Sequence, residues 1–350
     1  MLTQAAGKIL SVTEWDDDAQ ELSVRLEMET RRAVNYPALT GPAQVGDEVL
    51  LNTTARTLKL GTGGFDFVSA NLSRPMPKRD EGKGHIIKGR YLPCQQAVLT
   101  LEEQEQYAAV WERTLDKMPV LVGLLHSQIG PAAAGLFLAG RRNVAYIMTD
   151  AACLPLAFSH LVRDLQVARL LQATLTCGQA FGGDFETVTL HSALLAARHI
   201  LGCDAAIVCQ GPGNAGTGTK YGFSGIEQAQ NLDIVKALDG TAIAIVRMSA
   251  ADGRTRHQGI SHHSRTTLDL SYSRCIVPLP AGADESNLPP GHSVLFIEGA
   301  QAALDLLEER GIRVTSMGRT PAEDPLFFLA AAAAGFVETD FMQTEFAATE

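Results

Sequence analysis

From residue 98 onward the chain alternates short apolar runs with helical patterns, and this alternation limits the fold more than any other feature of the sequence. Each run is nearly continuous in apolar side chains, as expected for strands that are covered on both faces of a sheet. Strands are predicted at residues 119–125, 144–148, 171–176, 205–210, 241–247, 274–278 and 312–316.

Helical patterns precede and separate these runs. They lie at residues 101–117, 132–139, 155–165, 187–201, 226–238, 300–309 and 322–334. Because strands and helices alternate at these lengths, the strands are expected to form a parallel sheet. We therefore predict an α/β domain over residues 98–350 with a parallel, doubly wound sheet, and a (β/α) barrel is the alternative.

Residues 1–75 have a different pattern, in which apolar and polar residues alternate as in half-buried strands. Acidic and glycine-rich turns, such as Asp16 to Asp18 and residues 60–64, separate these short strands. The sequence predicts a small all-β, barrel-like domain that serves packing or dimerisation. Residues 76–97 carry prolines, glycines and basic side chains, and are predicted to be a linker.

The composition is that of a globular protein, with 46% hydrophobic and 19% charged residues. The net charge of −10 would repel a polyanion, so nucleic acid is not an expected partner. The six cysteines form no C-x-x-C pair, and neither a signal pattern nor a membrane-spanning run is present. These features predict a cytoplasmic protein with reduced thiols and no membrane partner, and a homodimer is the base expectation.

The loops that leave the C-terminal ends of the predicted strands carry the unusual residues. In parallel α/β sheets these loops form the ligand crevice. Five successive leaving loops are rich in glycines, hydroxyls, carboxylates or imidazoles, whereas the loops that enter the strands are short and plain. The five loops begin at His126, Thr149, Cys177, Gly211 and Ser249. The sequence therefore predicts a site for a small-molecule ligand at this edge.

The fourth of these loops contains the pattern G-x-G-x-x-G-x-G, formed by Gly211, Gly213, Gly216 and Gly218. Glycines let backbone N–H groups approach a phosphate closely, and Arg254 and Arg256 in the next leaving loop would add positive charge. The next helix is expected to begin late, and no G-K-[ST] follows, so the pattern matches neither the dinucleotide fingerprint nor a Walker loop. The alternatives are an anion-binding loop and a glycine-rich lid or packing loop.

Five side chains in the leaving loops are candidates for acid–base work or cation binding. They are His126, Asp150, Asp184, His262 and His263. Each aspartate has a structural alternative, since Asp184 in particular could cap the following helix. The segment 257–263 contains three of the nine histidines, and it could be an exposed basic loop, a phosphate contact or a metal site. The sequence does not determine a cofactor, and a divalent cation is one option.

Three groups of motif residues in the C-terminal part of the chain are distinctive: GQAFGGD at 178–184, GPG with GTGT at 211–219, and SHH at 261–263. They resemble a bacterial family of about this length that is known only as a domain of unknown function. The resemblance covers most of the chain and implies a bacterial source and a cytosolic location. It implies no activity, cofactor or catalytic residue, so the candidate residues depend on position and chemistry alone.

Two hypotheses follow from the predicted edge. In the first, the protein is an enzyme that acts on a small anionic or phosphorylated metabolite, with the glycine loop and arginines binding the anion. In the second, it is a non-catalytic metabolite sensor or a scaffold. A change such as Asp184→Asn would abolish turnover in an enzyme, whereas it would alter only affinity in a sensor.

Overall fold

The computed structural model describes residues 1–60, 63–74 and 84–337. Part of the predicted glycine-rich turn (residues 61–62), the start of the predicted linker (76–83) and the C-terminal residues 338–350 lie outside this description. The chain divides into two compact units, Met1–Val98 and Leu99–Glu350.

The first unit contains a closed five-stranded barrel, in which the strand order is β1-β2-β3-β5-β4. Its strands are β1 (Gln4–Asp16), β2 (Ala19–Arg25), β3 (Thr30–Asn35), β4 (Glu48–Asn52) and β5 (Asp66–Asn71). Two short helices, α1 (Pro37–Thr40) and α2 (Thr54–Thr57), lie between strands. Alternate apolar residues such as Ile9, Leu22 and Val49 are fully buried and form the barrel core, as strand periodicity requires. The predicted barrel-like domain is confirmed.

The predicted linker contains a β-hairpin that was not expected from the sequence. Strands β6 (Ile86–Lys88) and β7 (Gln96–Val98) pair in antiparallel fashion, with Ile87 opposite Ala97. Each strand has three residues, which is too short for an alternating pattern to stand out in the sequence.

The second unit contains an open sheet of eight strands in the order β11-β10-β9-β12-β8-β13-β16-β17. All pairs in this sheet are parallel. The strands of this unit are β8 (Pro119–Val122), β9 (Val144–Thr149), β10 (Ala173–Thr176), β11 (Phe185–Glu186), β12 (Ala205–Gln210), β13 (Thr241–Ala244), β14 (Met248–Ser249), β15 (Gly259–Ile260), β16 (Ile276–Pro280) and β17 (Ser293–Ile297). Strands β14 and β15 form a separate antiparallel ribbon. The parallel doubly wound sheet is confirmed, and the (β/α) barrel is wrong because the sheet is open.

In the described part of the second unit, seven helices cover the two faces of this sheet. They are α3 (Ile129–Leu138), α4 (His160–Val167), α5 (Leu190–His199), α6 (Gln228–Ala237), α7 (His262–Leu270), α8 (Gln301–Glu309) and α9 (Pro325–Gly335). Helices α3, α4, α8 and α9 pack in one apolar core, and α5, α6 and α7 pack in the other. The connections that lead toward β11 cross the face that carries α3 and α4, and those that lead toward β17 cross the face that carries α5, α6 and α7. A constant crossover handedness produces this arrangement.

Helices α3 and α9 approach each other so closely that their backbones touch. A Cβ atom on Gly135 would lie 2.5 Å from the carbonyl oxygen of Ala332, and one on Gly335 would lie 2.4 Å from the nitrogen of Leu136. Helix α9 continues this small-residue surface with five consecutive alanines. At 11 residues it is the longest helix of the described chain, in which no helix has the length and apolarity to cross a membrane.

Two predicted elements are wrong. Residues 312–316 are not a strand: Ile312 and Val314 are buried against the α3 face, but their backbones do not pair with the sheet. The edge position belongs instead to β17, which pairs with β16 over five residues. The segment predicted as a helix at 101–117 forms short 3₁₀ turns at Leu101–Glu103 and Glu105–Val110.

Candidate functional site

The strand order predicts a ligand-binding crevice at the C-terminal ends of β8, β9 and β12. These three strands are neighbours, and the chain leaves β8 and β9 toward the α3 face but leaves β12 toward the α6 face. Loops that part toward opposite faces open a gap between adjacent strands, which is where open α/β sheets bind ligands. We therefore expect the loops that contain His126, Asp150 and Gly211 to border this crevice.

Three buried glutamines fix the backbone of this edge. Gln128 Oε1 accepts hydrogen bonds from the nitrogens of Leu124 and Leu125, both at 2.9 Å. Gln210 Nε2 donates to the Leu124 carbonyl at 2.9 Å, and Gln228 Nε2 donates to carbonyls at the ends of β8 and β13. The pairings of β8 with β12 and β13 end at Val122, and side-chain amides bond to backbone groups at and beyond this point.

His126 lies in a 3₁₀ turn directly after β8 and is held at both ring nitrogens. Its Nδ1–H donates to the carbonyl of Gln210 at 3.3 Å, and its Nε2 accepts from the hydroxyl of Ser159 at 2.7 Å. Ser159 also caps α4 by accepting from the nitrogen of Val162. Burial lowers the pKa of His126 to about 4, so the imidazole is neutral at physiological pH.

Tyr146 is a fully buried polar residue beside His126, and the sequence did not predict its role. Its hydroxyl donates to the carbonyl of Cys209 at 3.1 Å and lies 3.3 Å from His126 Nδ1. Burial raises its pKa, which keeps the hydroxyl protonated. The signal in the sequence was a tyrosine in the middle of an otherwise apolar strand.

Glu227 is the other residue that sequence reasoning missed. It belongs to the 3₁₀ turn Ser224–Glu227, and its carboxylate accepts a hydrogen bond from the hydroxyl of Thr149 at the end of β9. Burial, with a smaller contribution from the nearby Asp150 carboxylate, raises the pKa of Glu227 to about 7. In the sequence it is one polar residue in a helical pattern, which carries no sign of this environment.

Asp150 lies at the predicted edge, where it is exposed and organises the loop after β10. Its Oδ2 accepts from the nitrogen of Gln179 at 2.7 Å. Gly178 has a φ of 64°, and a Cβ atom there would lie 2.3 Å from Asp150 Oδ2. The pairing therefore requires glycine at position 178.

Asp184 does not join this group and does not cap a helix. Its Oδ2 accepts from the backbone nitrogen and hydroxyl of Thr174, at 2.8 and 2.9 Å, and from Gln166. The chain turns back after β10 to form β11, which carries Asp184 alongside the start of β10 and away from its C-terminal end. The N-cap of α5 is Thr189. The contacts of Asp184 are those of a structural carboxylate.

The glycine loop is held in a hairpin-like shape by hydrogen bonds between its own residues and their neighbours. Asn214 Oδ1 accepts from Gln210 Nε2, the Ser224 hydroxyl and the nitrogen of Gly225, at 2.9 to 3.1 Å. Gly216 forms an isolated antiparallel β-bridge with Phe223, and Gly213 and Gly218 have positive φ angles of 98° and 82°. A Cβ atom on Gly211 would lie 2.5 Å from the carbonyl oxygen of Cys153, so this glycine allows close packing.

The two candidate arginines differ in their surroundings. Arg254 donates through Nε and Nη2 to Asp252, both at 2.9 Å, and Arg247 donates to the same carboxylate. The Arg254 and Arg247 guanidinium groups hold the pKa of Asp252 well below its usual range, so Arg254 is committed to a local ion pair. Arg256 is exposed, and its Nη2 lies 3.7 Å from the Cβ position of Gly218.

His262 and His263 lie together with His257. Each of the three offers a ring nitrogen within 4.8 Å of the others. Helix α7 begins at His262, within the segment for which an exposed loop was one alternative. His257 is 1% exposed and His263 is 6% exposed, so an exposed basic loop is wrong for these two residues. Burial and the neighbouring cationic groups lower the pKa of all three, to about 3 for His257 and His263.

A cavity of about 300 Å³ lies beside the end of β16. Its lining includes Met248, Ile260, Asp284, Asn287, Leu326 and Leu329. None of the sequence-predicted candidate residues lines it, so its chemistry is separate from that of the β8–β9–β12 crevice.

Comparison with known proteins identifies the family. No curated protein sequence matches the chain significantly. The model of the family described as "Protein of unknown function (DUF3866)" matches residues 32–335, a span that includes part of the barrel and every candidate residue above. The match confirms the family resemblance seen in the sequence motifs. The chain belongs to this family of proteins of unknown function.

Proposed function

We propose that the second unit is an enzyme that acts on a small anionic metabolite bound across the C-terminal ends of β8, β9 and β12, with Glu227 as the proton-transfer group. The observation that carries this proposal is the position of Glu227, whose carboxylate accepts a hydrogen bond from the hydroxyl of Thr149 at the end of β9. A group whose pKa lies near the working pH is the most effective general acid or base.

The surroundings of Glu227 support a chemical role over a structural one. A structural buried carboxylate normally has a cationic partner. Within the described chain, Glu227 bonds to a hydroxyl group, and the charged residue that shifts its pKa is another carboxylate, Asp150. This environment makes the ionised form less stable and brings the pKa to about 7. Titratable groups perturbed in this way concentrate at functional sites.

His126 supplies a complementary group on the other side of the sheet. It contacts Tyr146, which belongs to the core on the α3 face, whereas Glu227 directly precedes α6 on the opposite face. A neutral imidazole and a protonated phenol donate or accept hydrogen bonds without introducing charge. Two titratable groups with pKa values displaced in opposite directions are the usual basis for dividing acid and base roles.

The charge of the substrate follows from Arg256. This guanidinium is exposed beside Gly218, whereas Arg254 is held in an ion pair with Asp252. An arginine beside a glycine-rich loop suits phosphate or carboxylate groups. The proposal therefore specifies a small metabolite that carries at least one such group.

A thermal-shift screen tests ligand binding. The panel contains inorganic phosphate, pyrophosphate, nucleoside monophosphates, sugar phosphates and small dicarboxylates. A ligand at about 100 times its dissociation constant stabilises by about 2.7 kcal/mol and should raise the Tm by roughly 5–10 °C. Arg256→Ala should remove most of the shift, and Arg313→Ala, at an exposed arginine after α8, should not. A flat response across the panel would contradict the proposal.

Turnover of the ligand that binds separates an enzyme from a sensor. Glu227→Gln should lower turnover by about 100-fold or more and leave the dissociation constant within a few fold, since proton transfer contributes that much to rate. The result that favours a sensor is a bound ligand that is recovered unchanged, with affinity as the only property that Glu227→Gln alters.

A further inference from the structure

We propose that His257, His262 and His263 bind one transition-metal ion, with Zn²⁺ the ion that fits best. The test of this site does not depend on the proton-transfer proposal, because metal binding is measured without any substrate. Three imidazole donors suit zinc and similar metals, whereas Mg²⁺ and Ca²⁺ prefer oxygen ligands.

The spacing of the three rings supports one shared ion. Two nitrogens on a tetrahedral Zn²⁺ lie about 3.3 Å apart, given Zn–N bonds of about 2.0–2.1 Å. The ligand nitrogens of the cluster all lie within 4.8 Å of one another. The cluster is therefore within about 1.5 Å of the required spacing, a distance that side-chain rotation covers.

Two of the ring nitrogens are buried without a hydrogen-bond partner in the described part of the chain. They are His262 Nε2 and His263 Nδ1. Nearly all buried polar atoms in folded proteins are paired, and an unpaired one costs about 1–3 kcal/mol. One metal ion would supply a partner to both nitrogens at once, which accounts for two unsatisfied atoms in adjacent residues.

The third ring is oriented as metal-binding histidines usually are. His257 Nδ1 lies 2.7 Å from the hydroxyl oxygen of Ser261, which leaves its Nε2 available. The same hydroxyl accepts from the nitrogen of His263 at 3.2 Å and caps α7. An outer partner on the second ring nitrogen fixes the tautomer and direction of a ligating imidazole. Ser261 therefore orients the His257 ring and also holds the backbone of His263 at the start of α7.

The surroundings of the cluster indicate what occupies the open side of the ion. Phe223 stacks on His263 with ring centroids 3.8 Å apart and forms an apolar wall. Arg265 follows His262 by three residues on α7, and its Nε is buried without a partner among the described residues. Cationic neighbours oppose a bare dication but favour a metal that carries an anion. The fourth ligand is therefore a hydroxide, carboxylate or phosphate oxygen.

Metal titration of the untagged, full-length chain tests the proposal. After removal of metals, equilibrium dialysis with Zn²⁺ should give about one ion per chain, and Mg²⁺ should not compete. The double substitution His262→Asn/His263→Asn should weaken Zn²⁺ binding by more than about 100-fold, and Ser261→Ala should weaken it by about 10- to 100-fold. His191→Asn, at an exposed histidine on α5, is the matched control and should bind like the unmodified chain.

Two results would overturn the proposal: failure to bind Zn²⁺ in a stoichiometric amount, or binding that the double substitution leaves unchanged. The unmodified chain gives a second readout if the double variant fails to fold. Co²⁺ at this site should show the intense visible absorption of a four- or five-coordinate ion. The weak spectrum of a fully hydrated ion would contradict histidine coordination.

Discussion

At the scale of single residues, burial acts with opposite sign on the two titratable groups of the crevice. A buried environment disfavours the charged form, so it lowers the pKa of His126 and raises that of Glu227. At neutral pH the imidazole is uncharged and the carboxyl group is close to half ionised. Each shift also changes folding stability with pH, and the two effects run in opposite directions.

Glu227→Gln should remove a loss of stability that occurs as the pH rises. The folded pKa of about 7 lies above the ordinary value of 4.5, so stability from this group is present at low pH and is lost as the pH passes from 4.5 to 7. Between pH 5 and 8 the variant should gain about 2.5 kcal/mol relative to the unmodified chain. Urea unfolding at both pH values measures this difference.

The exposed Glu309→Gln on α8 is the control for that experiment, and its difference from the unmodified chain should not vary with pH. A Glu227→Gln difference that is equally flat would contradict the account of a carboxyl group held near neutrality.

His126→Asn should show the reverse dependence. The folded pKa of about 4 lies below the ordinary value of 6.5, so stability from this group is complete above pH 6.5 and is lost as the pH falls toward 4. Between pH 7 and 5 the unmodified chain should lose about 2 kcal/mol that the variant does not lose. Thermal unfolding at the two pH values measures this difference, and His191→Asn, at an exposed histidine, is the control. Equal pH dependence of the two variants would contradict the prediction.

The sequence located part of the candidate site because chain position alone determines which residues follow a strand. It placed His126 and Asp150 at the sheet edge and grouped His262 with His263. It did not reveal Glu227, since burial by distant segments is not encoded in a local pattern. It misplaced Asp184, because the loop after β10 returns along the sheet before the two-residue strand β11, which a local pattern does not reveal.

At the scale of elements, the contact between α3 and α9 depends on two glycines. Gly135→Ala would place a methyl group 2.5 Å from the carbonyl of Ala332, so the helices must separate. The clash outweighs the better helix propensity of alanine, and we expect a loss of about 2 kcal/mol and a Tm lower by roughly 4–8 °C. Gly253→Ala, where nothing lies within 4 Å, is the control. An unchanged Tm in Gly135→Ala would show that the helices do not pack this closely.

Element prediction succeeded where apolar runs are long and fully buried, as in β9 and β12. It failed at 312–316, where the apolar residues pack on the α3 face without joining the sheet. Hydrophobic periodicity reports burial, whereas strand pairing depends on hydrogen bonds made across the fold. The helix predicted at 101–117 forms 3₁₀ turns, which have a similar spacing of apolar residues.

At the scale of the whole molecule, we expect the negative charge to disfavour nucleic acid as a partner. The net charge is −10, and arginines of the barrel are neutralised by acidic neighbours, as in the pairs Arg31–Glu29, Arg32–Glu21 and Arg74–Asp47. We expect single-stranded and duplex DNA to bind more weakly than about 100 µM at physiological salt. Fluorescence anisotropy measures this, and micromolar binding with a steep salt dependence would contradict it.

The location of a bound ligand tests the central claim most directly. Hydrogen–deuterium exchange is measured with and without the strongest ligand of the anion panel. We predict that the ligand slows exchange in peptides that cover residues 123–128, 149–154 and 210–227, the loops at the ends of β8, β9 and β12. Protection confined to the barrel, or to residues 280–287 beside the separate cavity, would contradict the claim that this crevice is the functional site.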